Sequence, residues 1–223
     1  MTEDIDGEFS PESSLKGSLK IGSYESLAVR FLPQLLNTFK AKFPRLKLDV
    51  LTSRSDHLVK QVKNGTLNMA LVIDGEEDGK VLVEDLATDT LALFVCAERY
   101  CGLASEDDLK SIGLAVLSTS DDGLPFYYKK YIGNFPKDYT VSLNCDSFEV
   151  IRTVTLSGAV IGLLPRKIAT RVPGQLKEVW PRDPELEYIS EHRVSLIYRK
   201  NTDSRAVELV KRVITGDDDN LLT

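Results

Sequence analysis

Leu19-Lys20-Ile21-Gly22 opens the patterned part of the chain as a short buried strand, with a turn over Ser23-Tyr24-Glu25-Ser26. From Leu27 to Phe43 the apolar positions Leu27, Phe31, Leu35, Leu36, Phe39 and Phe43 recur at helical spacing. Pro44 ends that helix, because a residue before proline is disfavoured in the α region. Leu46–Leu51 alternates with period two, which predicts a strand with one buried face. Ser55 or Asp56 is placed to cap a second helix through Asn64, and Gly65 to terminate it in the left-handed region. The continuous apolar run Leu67–Ile73 predicts a parallel strand covered on both faces.

Strand, helix, strand, helix, strand in quick succession specifies an open α/β sheet. The middle of the chain repeats the order. A strand at Leu91–Val95 leads to a short helix capped by Ser105 and a strand at Gly113–Leu117. A polar loop (Ser118–Gly123) and a helix through Tyr131 come next, then a strand at Val141–Asn144 and a helix at Asp146–Leu156. Val160–Leu164 is an apolar strand stopped by Pro165. Arg193–Tyr198 and Ser204–Ile214 supply a last strand and helix, free to return to the first half. Two α/β lobes are the natural division.

Composition narrows the class. The 223 residues are 42% hydrophobic and 28% charged, an ordinary globular balance that excludes collagen-like and disordered chains. No apolar run reaches the roughly 18 residues of a membrane-spanning helix, and the acidic opening is the opposite of a secretory leader. Three cysteines do not build a disulfide framework, so a cytoplasmic protein without membrane association is expected. The net charge of −6 sits mainly in the two ends, residues 1–16 and Asp217-Asp218-Asp219, while the body is close to neutral. Such a body lacks the basic footprint of a nucleic-acid-binding domain. Like charges and few apolar residues predict disorder for both tails.

Catalytic and cofactor signatures are missing. With His57 and His192 as the two histidines and no HExxH or CxxC spacing, no metal site is expected. There is no phosphate-binding GxxxxGK[ST], no dinucleotide-binding GxGxxG and no GxSxG, so neither a cofactor nor an enzyme is expected. What the chain does carry is hydroxyls just after predicted strands. Ser23 and Ser26 follow the first, Ser53 and Ser55 the second, and Ser118, Thr119 and Ser120 a strand of the middle segment. Asp146 and Ser147 do so once more, with Glu149 completing a capping-box pattern if Asp146 is the cap. Each could simply cap its own helix. Grouped at the carboxyl ends of strands from two lobes, they point to a small-molecule cleft, where helix N-termini favour an anion.

Several segments together resemble the effector-binding domain of LysR-type transcriptional regulators. These are Gly17–Gly22 with Leu32-Pro33, Phe39 and Phe43-Pro44; Leu58 and Val62 with Asn64-Gly65 and Leu67–Leu71; and Asp146-Ser147 through Val154, Ser157-Gly158 and Ile161–Pro165. Asn68 stands where an acid is usual, and Val160 replaces the second glycine of a G.G pair. The resemblance implies a two-lobed α/β fold of the type II periplasmic-binding-protein kind, with two crossover strands at Thr88–Val95 and Tyr188–Val194. It places lobe I at 17–88 plus 192–216 and lobe II at 89–191, between the tails 1–16 and 217–223.

By the same resemblance a small, anionic effector binds between the lobes. Ser23, Ser26, Ser55, Ser118, Thr119, Ser120 and Asp146 are its candidate contacts. The redox-sensing branch of the family carries a cysteine pair shortly after that wall, and residues 118–135 here contain none. No helix-turn-helix precedes Gly17, so contact with DNA is expected only through such a domain outside this sequence. A homodimer is expected through the first lobe, with Phe31, Leu35, Leu36 and Phe39 at its interface beside an open sheet edge at Leu46–Leu51. A solute-binding protein of a transport system, or an enzyme on the same scaffold, are the competing readings.

Overall fold

The computed structural model describes residues 17–99, 111–117, 140–180 and 191–215. The opening apolar run forms strand β1 (Gly17–Ser23), with parallel neighbours on both sides, β2 (Leu46–Thr52) and β3 (Met69–Ile73). Helix α1 (Glu25–Lys42) links β1 to β2, and α2 (Ser55–Lys63) links β2 to β3. In β3, Met69 and Leu71 face a core shared with α1, while Ala70 and Val72 face a core under α2. All four are fully buried, which is why the run is apolar without alternation. Gly65 follows α2 with a φ of +83°, the left-handed conformation anticipated for it.

Strand β4 (Val81–Cys96) is far longer than the Leu91–Val95 segment its apolar run marks. Its first part pairs antiparallel with β9 (Glu191–Arg199), which also pairs with β3. From Leu91 onward β4 pairs instead with β7 (Ile161–Pro165) and, along residues 93–96, with β8 (Leu176–Trp180). Beyond β7 lie β5 (Leu114–Leu117) and β6 (Val141–Cys145). The sheet therefore runs β2-β1-β3-β9-β4-β7-β5-β6, with β8 also on β4. Leu86 is an extra residue against β9, between the register pairs Asp85–Ser195 and Ala87–Val194. That bulge shifts the inside–outside phase within β4 and hides its first half from a period-two reading.

Helix α3 (Phe148–Leu156) and the single turn α4 (Arg166–Ala169) flank β7, and α5 (Ser204–Thr215) returns to pack beside α1. The fold is thus mixed α/β and two-lobed, with separate cores on the two parts of the sheet. Neither α4 nor β8 has a counterpart among the predicted elements. The helix expected after Ser105, the loop Ser118–Gly123, the helix through Tyr131 and both tails lie outside the described residues. Among the described residues no helix is long and apolar enough to cross a membrane.

Three expectations are corrected. Asp146 does not cap α3; Ser147 does, its Oγ accepting the Val150 N–H at 3.2 Å, because the helix starts two residues later than the apolar pattern suggests. Neither Ser55 nor Asp56 caps α2, since both lie inside its first turn and Arg54 precedes it. Phe31, Leu35 and Phe39 are not surface residues for a partner: they are buried against β1, β3 and α5 of their own chain. The return of α5 covers the stripe that the sheet alone would have left open. Of the four, only Leu36 is exposed.

One ion pair ties α5 to β4. Lys211 Nζ lies 2.5 Å from Glu84, whose carboxylate also accepts the Tyr198 hydroxyl. The Lys211 ammonium, then the Tyr198 hydroxyl, hold Glu84 below its ordinary value. Burial, then the neighbouring carboxylate, push Tyr198 up to about 12. A carboxyl depressed in the folded state contributes stability above its unfolded pKa and loses it as the pH falls through the folded value. Denaturation series between neutral pH and about pH 3 are therefore expected to show a shallower acid loss for Glu84→Gln than for the parent.

Candidate functional site

Where β4 and β9 pass from one lobe to the other, they floor a cavity of about 470 Å³. Leu86, Ala87 and Asp89 of β4 and His192 and Val194 of β9 contribute to that floor. One wall is the start of α1, with Ser26, Leu27, Arg30 and Phe31. The opposite wall is α4 and the turn after it, with Lys167, Ile168, Thr170 and Arg171, joined by Phe148 at the start of α3. The end of α5 closes one side through Ile214 and Thr215. The bulge at Leu86 sets that side chain into the cavity and against the first-lobe core. The walls are chiefly apolar with a few convergent polar groups, as in small-molecule sites.

The polar and charged groups differ in depth. Asp89 and His192 are register partners on β4 and β9 and both are buried. Asp89 accepts the Thr90 N–H at 2.8 Å and the Lys167 N–H at 3.3 Å on each oxygen. The Lys167 ammonium points elsewhere, donating to the Thr88 carbonyl at 2.6 Å. Arg171 forms a two-pronged pair with Glu149 at 2.9 and 2.8 Å. Arg30 is exposed and makes no hydrogen bond or ion pair among the described residues.

The lobes also touch beside the cavity. Tyr24, just before α1, packs into the second-lobe core, its ring centroid 6.1 Å from that of Phe148. Burial pushes the Tyr24 phenol well above its ordinary value. Ser147 donates its hydroxyl to Glu25 at 2.6 Å while accepting the Val150 N–H. Ser147→Ala removes a cap and an interlobe bond together. Its unfolding free energy by denaturant titration is expected to fall by about 0.5–2 kcal/mol, the range for a lost N-cap.

Of the described candidates for ligand contact, Ser26 lines this cavity. Ser23 is buried and spends its hydroxyl on the Tyr24 carbonyl. Ser55 accepts the Ile73 N–H at 3.0 Å, joining α2 to the end of β3. Asp146 is exposed, and Ser118, Thr119 and Ser120 lie outside the described residues. Arg30, Asp89, Lys167 and His192 escaped the sequence reading, which looked for hydroxyls at strand ends. The available signal was position: Asp89 and His192 fall in the segments assigned to the crossovers, and Lys167 follows the strand-ending Pro165. His57 sits at the surface, its ring nitrogens 2.9 Å from the Ser53 hydroxyl and from the Gln61 amide. Cys96 and Cys145 are free thiols, and among the described residues no group of three metal-ligating side chains comes together.

A domain of this architecture, with a cavity at the lobe junction, has the form of a ligand-responsive binding domain. The family model for the LysR substrate binding domain matches residues 12–217, and the chain belongs to that family. It is 27% identical over 175 residues to the uncharacterized HTH-type transcriptional regulator YwqM of Bacillus subtilis, covering 75% of this chain and 59% of that protein. The chain spans little more than half the length of that curated relative. It superposes on the reduced OxyR regulatory domain from Pseudomonas aeruginosa with a TM-score of 0.70 at 19% identity, covering 91% of this chain and 99% of that one. The reduced regulatory domain of OxyR2 from Vibrio vulnificus gives 0.68 at 15% identity, covering 91% and 96%. These last two likenesses are of fold.

Proposed function

We propose that this chain is the effector-sensing domain of a LysR-type transcriptional regulator, taking a small anionic metabolite between its lobes and passing the change to transcription. The cavity built by both lobes at the crossover carries this reading, because a ligand touching both walls favours one lobe arrangement over another. Arg30 supplies positive charge to its lining, and Ser26 a hydroxyl. Ser118, Thr119 and Ser120, which follow β5, complete the proposed contact set. The change of partner along β4 between Thr90 and Leu91 supports lobe limits of 17–88 plus 192–216 and 89–191.

Regulation of this kind places the chain in the cytoplasm and requires a separate helix-turn-helix domain to meet DNA. It makes the chain a sensor rather than an enzyme. A homodimer is proposed through the outer face of α1 and the β2 edge, where Leu36 and Leu51 are exposed. A transport solute-binding role has less support, since the matched relatives are transcriptional regulators.

A thermal-shift screen of metabolites is the direct test, because a ligand selective for the folded state raises the melting temperature. Ser26→Ala and Thr119→Ala are each expected to weaken a hit by about 0.5–3 kcal/mol by calorimetry, the range for a lost hydrogen bond. Unchanged affinity in both variants places the effector elsewhere.

A further inference from the structure

We infer that the ligand of this cavity is a zwitterion with an apolar body, an α-amino acid with a large aliphatic or aromatic side chain, and that Asp89 receives its ammonium group. This rests on the cavity being the effector site.

Asp89 is only 9% exposed, yet it lines the cavity. Two backbone N–H groups donate to it, one of them shared at 3.3 Å between both oxygens. A carboxylate has about four acceptor sites, so part of its capacity remains toward the cavity. Among the described residues no lysine or arginine side chain pairs with it, and Lys167, whose backbone N–H it accepts, gives its ammonium to the Thr88 carbonyl. A buried carboxylate calls for a cationic or strongly donating partner. The ligand can bring one.

The opposite requirement stands beside it. Arg30 lines the same cavity and makes no hydrogen bond or ion pair among the described residues. A plain carboxylate would satisfy this cation but meet Asp89 with repulsion, and a plain amine would do the reverse. A molecule carrying both charged groups on one carbon satisfies both. The remaining walls, through Leu27, Phe31, Leu71 and Ile73, are apolar and suit a hydrocarbon side chain. A volume of about 470 Å³ leaves room for one.

The experiment is calorimetric titration of the full chain with leucine and phenylalanine, each beside its acid without the amine (methylpentanoate, phenylpropanoate) and its amine without the acid (isopentylamine, phenylethylamine). At least one amino acid is expected to bind about tenfold or more tighter than both of its analogues, since a site built to pair a polar group rejects the analogue lacking it. Asp89→Asn is expected to remove the preference for the amino acid over its deaminated acid, weakening the amino acid and strengthening the acid as the like-charge repulsion is lost. A deaminated acid that binds as well as its parent overturns the inference and leaves the anion-sensor reading standing. An amine that binds as well as its parent overturns it too. So does a panel in which nothing binds, and the metabolite screen then judges the sensor reading separately.

Discussion

Phe39→Ala is expected to cost about 3–5 kcal/mol of unfolding free energy, the range for a fully buried phenylalanine. Phe39 is 2% exposed and packs in the core between α1, the first-lobe strands and α5, with its ring 6.0 Å from that of Phe43. Shortening it leaves a void on the inner face of an 18-residue helix that is already missing one backbone bond. Pro33 lies inside α1 and has no N–H to offer the Val29 carbonyl, which faces the solvent side where Val29 and Pro33 are exposed. One turn from Phe39, Leu36→Asp is expected to leave monomer stability within about 0.5 kcal/mol, as for an exposed site. If α1 carries a dimer interface, that same variant lowers the mass measured by analytical ultracentrifugation. Urea titration of both variants separates core from interface, and a Phe39→Ala chain as stable as its parent would sink the assignment of this stripe to the core.

A smaller but still large loss is expected from filling either of two glycine gaps. A Cβ at Gly22 would stand 2.7 Å from Leu58 Cδ2 and Leu67 Cδ1 and 2.9 Å from Ala70 Cβ. At Gly162 it would meet Thr155 Oγ1 at 2.1 Å, with Ile151 Cγ2 at 3.3 Å. In each lobe a helix therefore presses on its sheet over a glycine, α2 on β1 and α3 on β7. Ala70 Cβ has no rotamer with which to retreat, and Thr155 is fully buried with its hydroxyl committed to the Ile151 carbonyl. Gly22→Ala and Gly162→Ala are each expected to cost about 1–3 kcal/mol by overpacking, and valine more. Melting temperatures equal to the parent's would contradict the close approach.

These glycines also mark what was legible in the sequence. Gly22 and Gly162 sit inside the segments that carried the family resemblance, and those segments fold as the strand-and-helix units they suggested. β3 was legible because both its faces are covered, and α5 because one face repeats at Ala206, Val207, Val210 and Val213. The first half of β4 was not, because the bulge at Leu86 and one-sided cover break its alternation. β8 and α4 are short and owe their conformation to tertiary contacts, such as Arg166 with Glu178 and Thr90, rather than to local pattern. The cavity's ionic groups come from β4, β9, α1 and α4, separated along the chain and joined only by the crossover. Hydroxyl-after-strand reasoning reached Ser26 and could not reach Asp89.

The crossover itself has a mechanical consequence. β4 is an unbroken 16-residue strand, about 50 Å long at the usual rise, and it belongs to both lobes. No loop along it can fold like a door hinge. Any change of angle between the lobes must be absorbed as twist along β4 and its partner β9, so the pair works as a torsion bar. The irregular step at Leu86 interrupts the regular ladder of that bar, and that step borders the cavity. A molecule lodged there would bear directly on that step rather than on the regular ladder to either side.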